Sequence, residues 1–471
     1  MDKKFYIRMG SHAEKEYIKK MGSFFSGILV KANYFESATG MLSGLFLTFN
    51  ALEPARGYII DPVTYVYGLA PEYIKSWQKI PKDKAEEKLR KDLNILKSEQ
   101  IPIGEIREIK KPTKAQKEKN KVEISNIMKS YKKLASLYFD QETALKVGRE
   151  AITSEHFDDT KLNAFIQNVI DYQNNSITNH YSTEKYKEFH ERIPSPEFIL
   201  SPYFLIREDE TFRLMKNIWN KFQESNVQNE KGALVFHCEP KFLVDNKEAI
   251  IDAIENNSIK NVFLWLNNFK EENAKYDEMK AYIEFISELE AKGKFIFNLY
   301  AGGISSILYP YGLTGIINNT GYGLQRDAEP VKGGIPTAQY YIPTLYIRKQ
   351  ALACLDVFTE NSIGPEVDGF YSKVCNCTIC KEGIKNNIYD FISYYGHYDA
   401  PKSNPQSEKK YPTPDVLERC VYHFLLARLR EYKWGLTATK DNAKDKITQS
   451  LNIWQTNKDH LVNLQNILND L

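Results

Sequence analysis

The chain has no run of about eighteen apolar residues, the least a helix needs to cross a bilayer. Its opening, Met1-Asp2-Lys3-Lys4-Phe5, lacks the basic, apolar and small-residue order of a signal peptide. The two absences predict a soluble cytoplasmic protein without a membrane partner. Net charge is also nearly missing: 63 Lys and Arg against 61 Asp and Glu leave +2. Any attraction to nucleic acid must then come from local patches. Cysteine is scarce, and six in 471 residues is no framework for a disulfide-stapled secreted module. Aromatics are plentiful, with 30 Tyr and 25 Phe. They serve cores and base-stacking platforms equally well.

Three of the six cysteines stand together in Cys375-Asn376-Cys377-Thr378-Ile379-Cys380. Cys-x-Cys-x-x-Cys on a tight turn offers three soft ligands of a tetrahedral zinc site. The fourth ligand comes from His423, Cys420 or His397; the first two lie on a periodic helix downstream, and His423 is favoured, then Cys420. Four protein ligands leave no position for water, so the zinc is expected to be structural.

Along the chain, short apolar runs end in polar residues and alternate with amphipathic helices. The runs are Gly27–Tyr34, Gly57–Pro62, Phe198–Tyr203, Ala233–Pro240, Val262–Asn268, Phe295–Gly303 and Gly315–Asn319. Helices are predicted at about 209–228, 246–256, 276–292 and 304–309. Such repeats imply crossover connections and a parallel sheet. Seven or eight units close an α/β barrel of the TIM type, (β/α)8, whose chemistry sits at the C-terminal ends of the strands. The predicted layout has first barrel strands in 1–76 and a mostly helical basic insertion in 77–190. The rest of the barrel fills 191–350, and a zinc-binding helical region fills 351–471. Tyr340–Tyr346 is predicted as a last short strand, and two helices close the chain. Between Lys79 and Lys133 seventeen Lys and Arg face nine acids, densest at 110–121. That run is either a solvated helix face or a clamp for a phosphate backbone.

The strand ends supply the candidate site. Asp61 stands before Pro62, which cannot continue a central ladder, and is the principal candidate carboxylate. Glu239 is the second, since a pair would let one acid ionise while the other stays protonated. His237, Asn267, Asn298, Tyr300 and Asn318 occupy corresponding strand ends and are assigned to substrate. The glycine-rich, charged stretch 321–336 reads as a loop over the mouth. In it Tyr322 and Arg326 would touch substrate, Arg326 and Asp327 would close over the sugar or phosphate, and Asp327 is the third catalytic candidate. His237-Cys238-Glu239 with the later Cys-x-x-Cys is a possible deaminase pattern. The third thiolate and the distance between the parts argue against it.

A barrel followed by Cys-x-Cys-x-x-Cys and a helical histidine resembles the tRNA-guanine transglycosylase superfamily, over roughly Gly27 to Gly68 and Phe198 to Trp434. The resemblance implies a zinc-bearing barrel acting on a base in tRNA or DNA, with Gly302 and Gly303 allowing close approach to that base. The chain departs from the family at two places. The Asp-Ser-Gly-Gly-Phe motif is missing, and the nucleophilic aspartate is expected near Ile317-Asn318-Asn319, where only amides stand. An amide cannot form the glycosyl ester that base exchange needs. The expectation is therefore base excision: a DNA glycosylase cleaving the N-glycosidic bond of a modified or phage-specific base in antiviral defence. The alternatives are exchange of guanine or a deazaguanine on DNA or tRNA, and a non-catalytic nucleic-acid-binding module.

Overall fold

A computed structural model describes residues 1–9, 14–21, 24–52, 57–69, 129–181, 195–320, 328, 337–399 and 410–471. The lysine cluster at 110–121 and the loop residues Tyr322, Arg326 and Asp327 lie outside them.

Eight strands form one ring: β1 (Lys4–Met9), β2 (Gly27–Lys31), β3 (Gly57–Asp61), β4 (Ile199–Leu200), β5 (Gly232–Cys238), β6 (Asn261–Leu266), β7 (Phe295–Asn298) and β8 (Leu313–Asn319). Neighbours pair in parallel in chain order, and β1 lies beside β8. The remaining seam, between β3 and β4, is drawn together by the Ile59–Phe198 bridge and by the Glu197 N–H donating to the Tyr58 carbonyl at 2.9 Å. The nearly closed sheet with helices between its strands is the predicted (β/α)8 barrel.

Seven of its strands are the apolar runs of the sequence. The eighth is β1, whose Lys-Phe-Tyr-Ile-Arg-Met is short and interrupted by charge at both ends. Crossover helices Asp209–Gln223, Pro240–Glu255 and Tyr276–Ala291 fall close to the predicted spans. The second begins earlier than expected, with proline in its first turn, where no backbone N–H is needed.

The barrel is filled by rings. Phe263 and Phe297 stack with centroids 4.7 Å apart, Phe198 meets both edges, and Tyr6 lies 6.4 Å from Phe297. These contacts fix which residues point inward, because side chains alternate along a strand. A second, upper layer forms the mouth described below.

Among the described residues between β3 and β4, α-helices span 129–138, Gln141–Lys146 and Asp159–His180. The last helix serves the thinnest strand. Gln173 both donates to the Leu200 carbonyl and accepts from its N–H, each at 2.8 Å, bracing the two-residue β4. Near its end His180 and Tyr172 hold Glu36 at 2.8 and 2.9 Å, tying the helix to the segment after β2.

Beyond the barrel, the single strand predicted at Tyr340–Tyr346 is a hairpin, β9 (Gln339–Ile342) and β10 (Ile347–Gln350). Tyr346 at φ 58° makes the reversal that the apolar pattern hides. Three helices rather than two end the chain: Pro414–Gly435, Lys440–Ile453 and Asp459–Asp470. Among the described residues no helix is long and apolar enough to cross a membrane.

Candidate functional site

Two polar centres lie above the barrel, and the first is the thiol cluster. Cys377 caps the short helix Thr378–Gly383, so its sulfur and that of Cys380 sit one turn apart. Cys375 precedes them, and His423 enters from the helix Pro414–Gly435. The four ligand atoms lie within 4.8 Å of one another and all four residues are buried. His423 Nδ1 is 3.8, 3.4 and 3.4 Å from the sulfurs of Cys375, Cys377 and Cys380. Around a tetrahedral zinc the sulfur-to-nitrogen edge is about 3.5 Å, so the donors match the size of such a site.

Outer partners prepare the ligands. His423 Nε2 faces the Tyr341 carbonyl at 2.6 Å, which assigns its proton there and leaves Nδ1 for a metal. Tyr340 stacks flat on the imidazole at 4.1 Å, and Arg430 donates to the Cys375 sulfur at 2.9 Å. The other two candidates for fourth ligand stand elsewhere. Cys420 is buried apart from the cluster, and His397 is exposed and pairs with Asp399.

The helix that carries His423 also ties this unit to the barrel. Its Arg428, fully buried, donates to the carbonyls of Gly303 and Gly302 at 2.7 and 3.1 Å and to Asn318 Oδ1 at 3.1 Å, and pairs with Glu431. Gly302 is glycine because a Cβ there would strike the Glu271 carboxyl; at Gly303 it would strike the Tyr346 carbonyl. Glu271 accepts from the Ile304 N–H at 2.7 Å and the Ser305 hydroxyl at 2.9 Å. Burial pushes its carboxyl up to about 7, against those two donors and Arg428.

The second centre is the barrel mouth. β3 ends at Asp61, whose Oδ1 takes the Val63 N–H at 3.0 Å and the Tyr203 hydroxyl at 2.7 Å. Val63 holds φ 53°, an uncommon conformation for a β-branched residue that the turn must enforce. Just beyond, Thr64 clamps the facing segment, donating to the Tyr203 carbonyl and accepting its N–H at 2.9 and 2.7 Å. Burial first, and the Asp61 charge next, push the Tyr203 phenol well above its ordinary 10, so it remains a donor. Arg8, near the end of β1, reaches Asp61 Oδ2 with Nη2 at 3.5 Å.

Aromatic rings surround the pair. His237 and Trp265, in register on β5 and β6, stack at 3.8 Å and 7°. Tyr65 meets Trp265 at 4.9 Å and Tyr203 at 5.6 Å, and Tyr300 lies 4.5 Å from Trp265 and 4.7 Å from the Arg8 guanidinium. Together they form an apolar floor with one embedded carboxylate.

The remaining expected residues lie apart from that floor. Glu239 is on the rim, where its Oε1 accepts from Arg207 at 3.1 Å and from Asn267 at 2.9 Å; it shares no partner with Asp61 among the described residues. Asn267 also takes the Ala328 N–H at 2.6 Å. Asn298 bonds to Tyr282 and Ser305, and Asn318 to Ala301 and Arg428, all on the helix side of the sheet. Arg8, Tyr65, Tyr203 and Trp265 were not singled out from sequence. Arg8 alone had a signal there, a charge inside an apolar run. No family model, curated protein or solved structure matches the chain.

Proposed function

We propose that this barrel cleaves the N-glycosidic bond of a nucleotide in nucleic acid, releasing the base to water. The observation that carries the reading is Asp61: a buried strand-end carboxylate fixed by a strained turn and a tyrosine, among rings that suit a flat base. As the base departs, the sugar becomes oxocarbenium-like. Asp61 can stabilise that charge and take the proton of the attacking water, whose hydroxyl joins C1′; the departing base takes a proton from solvent and Asp61 returns its own, so that one water is consumed.

Hydrolysis is favoured over base exchange because β8 ends in Asn318 and Asn319, and an amide forms no glycosyl ester. The thiol cluster is read as a structural zinc, since three thiolates and an imidazole fill a tetrahedron. The reading of a modified base in phage DNA, met in the cytoplasm during antiviral defence, rests on the transglycosylase resemblance alone.

The test incubates the protein with phage DNA carrying modified bases and scores alkali-labile strand breaks. Breaks with the wild type and none with Asp61→Asn are expected. Incorporation of labelled guanine would point to exchange instead, and retention of the DNA without either product would leave a binding module.

A further inference from the structure

Arg8 is 1% exposed, yet its guanidinium is poorly satisfied. Of its five N–H donors, those on Nε and Nη1 have no acceptor among the described residues. Its one polar contact among the described residues, Nη2 to Asp61, sits at the 3.5 Å limit of a hydrogen bond. Tyr203 and Val63 hold Asp61 at shorter distances, both through Oδ1, and Arg8 reaches only the other oxygen, Oδ2. One face of the guanidinium is covered by Tyr300, which leaves its edge as the donor surface. Both neighbours, Asp61 and Tyr300, lie at C-terminal strand ends, which places that edge in the mouth.

A buried cation with idle donors is costly. It is explained if an anion completes it, and a guanidinium edge suits the oxygens of a phosphate. Tyr300 links the two features: it lies against Arg8 on one side and Trp265 on the other, so an anion on Arg8 would lie beside the aromatic floor. We infer that Arg8 forms a phosphate subsite, which takes the phosphate of a nucleotide whose base lies over the rings. The demand for an anion comes from Arg8; the choice of a nucleotide phosphate rests on the excision reading above.

Calorimetry with deoxyguanosine 5′-monophosphate, deoxyguanosine and inorganic phosphate tests it on the full chain. The wild type is expected to bind the monophosphate at least about tenfold more tightly than the nucleoside, about 1.4 kcal/mol or more, with inorganic phosphate competing. Arg8→Gln should abolish that preference, and Arg8→Lys should keep only part of it, because the charge survives without the fork. Circular dichroism checks that both variants fold. Should neither fold, the wild type must still melt higher in phosphate than in chloride at equal ionic strength. Equal binding of nucleotide and nucleoside, a preference that persists in folded Arg8→Gln, or no stabilisation by phosphate overturns the subsite. Arg8-dependent phosphate binding without strand breaks sinks the excision reading alone, and strand breaks without an Arg8-dependent preference sink the subsite alone.

Discussion

Tyr203 donates its phenolic hydrogen to Asp61 at 2.7 Å, joining a residue just beyond β4 to the end of β3 across the barrel's weakest seam. The bond does two things: it aims the carboxylate, and it helps hold β3 beside the two-residue β4. Tyr203→Phe keeps the ring stack with Tyr65 and removes only the donor. The expected losses are about 1–2 kcal/mol of stability, as for a buried hydrogen bond with its acceptor left behind, and roughly tenfold in strand-break activity. Asp61→Asn should cost about 10²- to 10⁴-fold in activity, the range of a lost acid or base. Equal activity of Asp61→Asn and wild type would remove the carboxylate from the mechanism.

The thiol cluster should carry about one zinc per chain by metal analysis. Cys377 is both a candidate ligand and the cap of its helix, so Cys377→Ser should yield insoluble or molten protein, because binding energy at such a site is folding energy. Cys420→Ser, one turn before His423 and outside the cluster, should keep its full zinc content. Soluble, active protein without metal contradicts the assignment.

Arg428 and Glu431 form a buried ion pair that bridges the helix carrying His423 to the strand ends. Removing one partner strands the other charge, so Arg428→Met should cost about 3–5 kcal/mol in denaturant unfolding. The double variant Arg428→Met with Glu431→Leu should regain much of that loss. If the double variant is as unstable as the single one, the carbonyl bonds to Gly302 and Gly303 matter more than the charge.

How far these centres can be read from sequence depends on how local their signals are. The thiols declare themselves within six residues, and the strands do so through apolar runs that end in polar residues. The mouth is different, since Tyr203 is 142 residues from Asp61 and only the closed ring brings them together. Strand-end amides mislead for another reason. Phe297 faces inward, so Asn298 next to it faces the helices; Asn318 pairs in register with Ile7, not with the inward Arg8. A period of two makes a one-residue difference a change of face. β1 gives little signal in the sequence because its apolar core is three residues long, and Arg8 is hidden with it.

Glu271 gives the fold a pH dependence of definite sign. Its carboxyl is raised by burial from the ordinary 4.5 to about 7 in the folded chain. Between those values the unfolded chain has released the proton while the folded chain retains it. The native state therefore binds more protons, and stability falls as pH rises through this window. The full effect, reached above pH 7, is on the order of 3 kcal/mol for a fully buried group. Glu271→Gln keeps one oxygen to accept the Ile304 N–H, turns its amide NH2 as a donor toward the Ser305 hydroxyl oxygen, and cannot ionise. Urea unfolding at pH 5 and pH 8 should show the wild type losing stability between them and the variant losing less. The same slope in both proteins would mean that Glu271 is already ionised at pH 5, held so by Arg428 and the donors of the Ile304–Tyr311 turn.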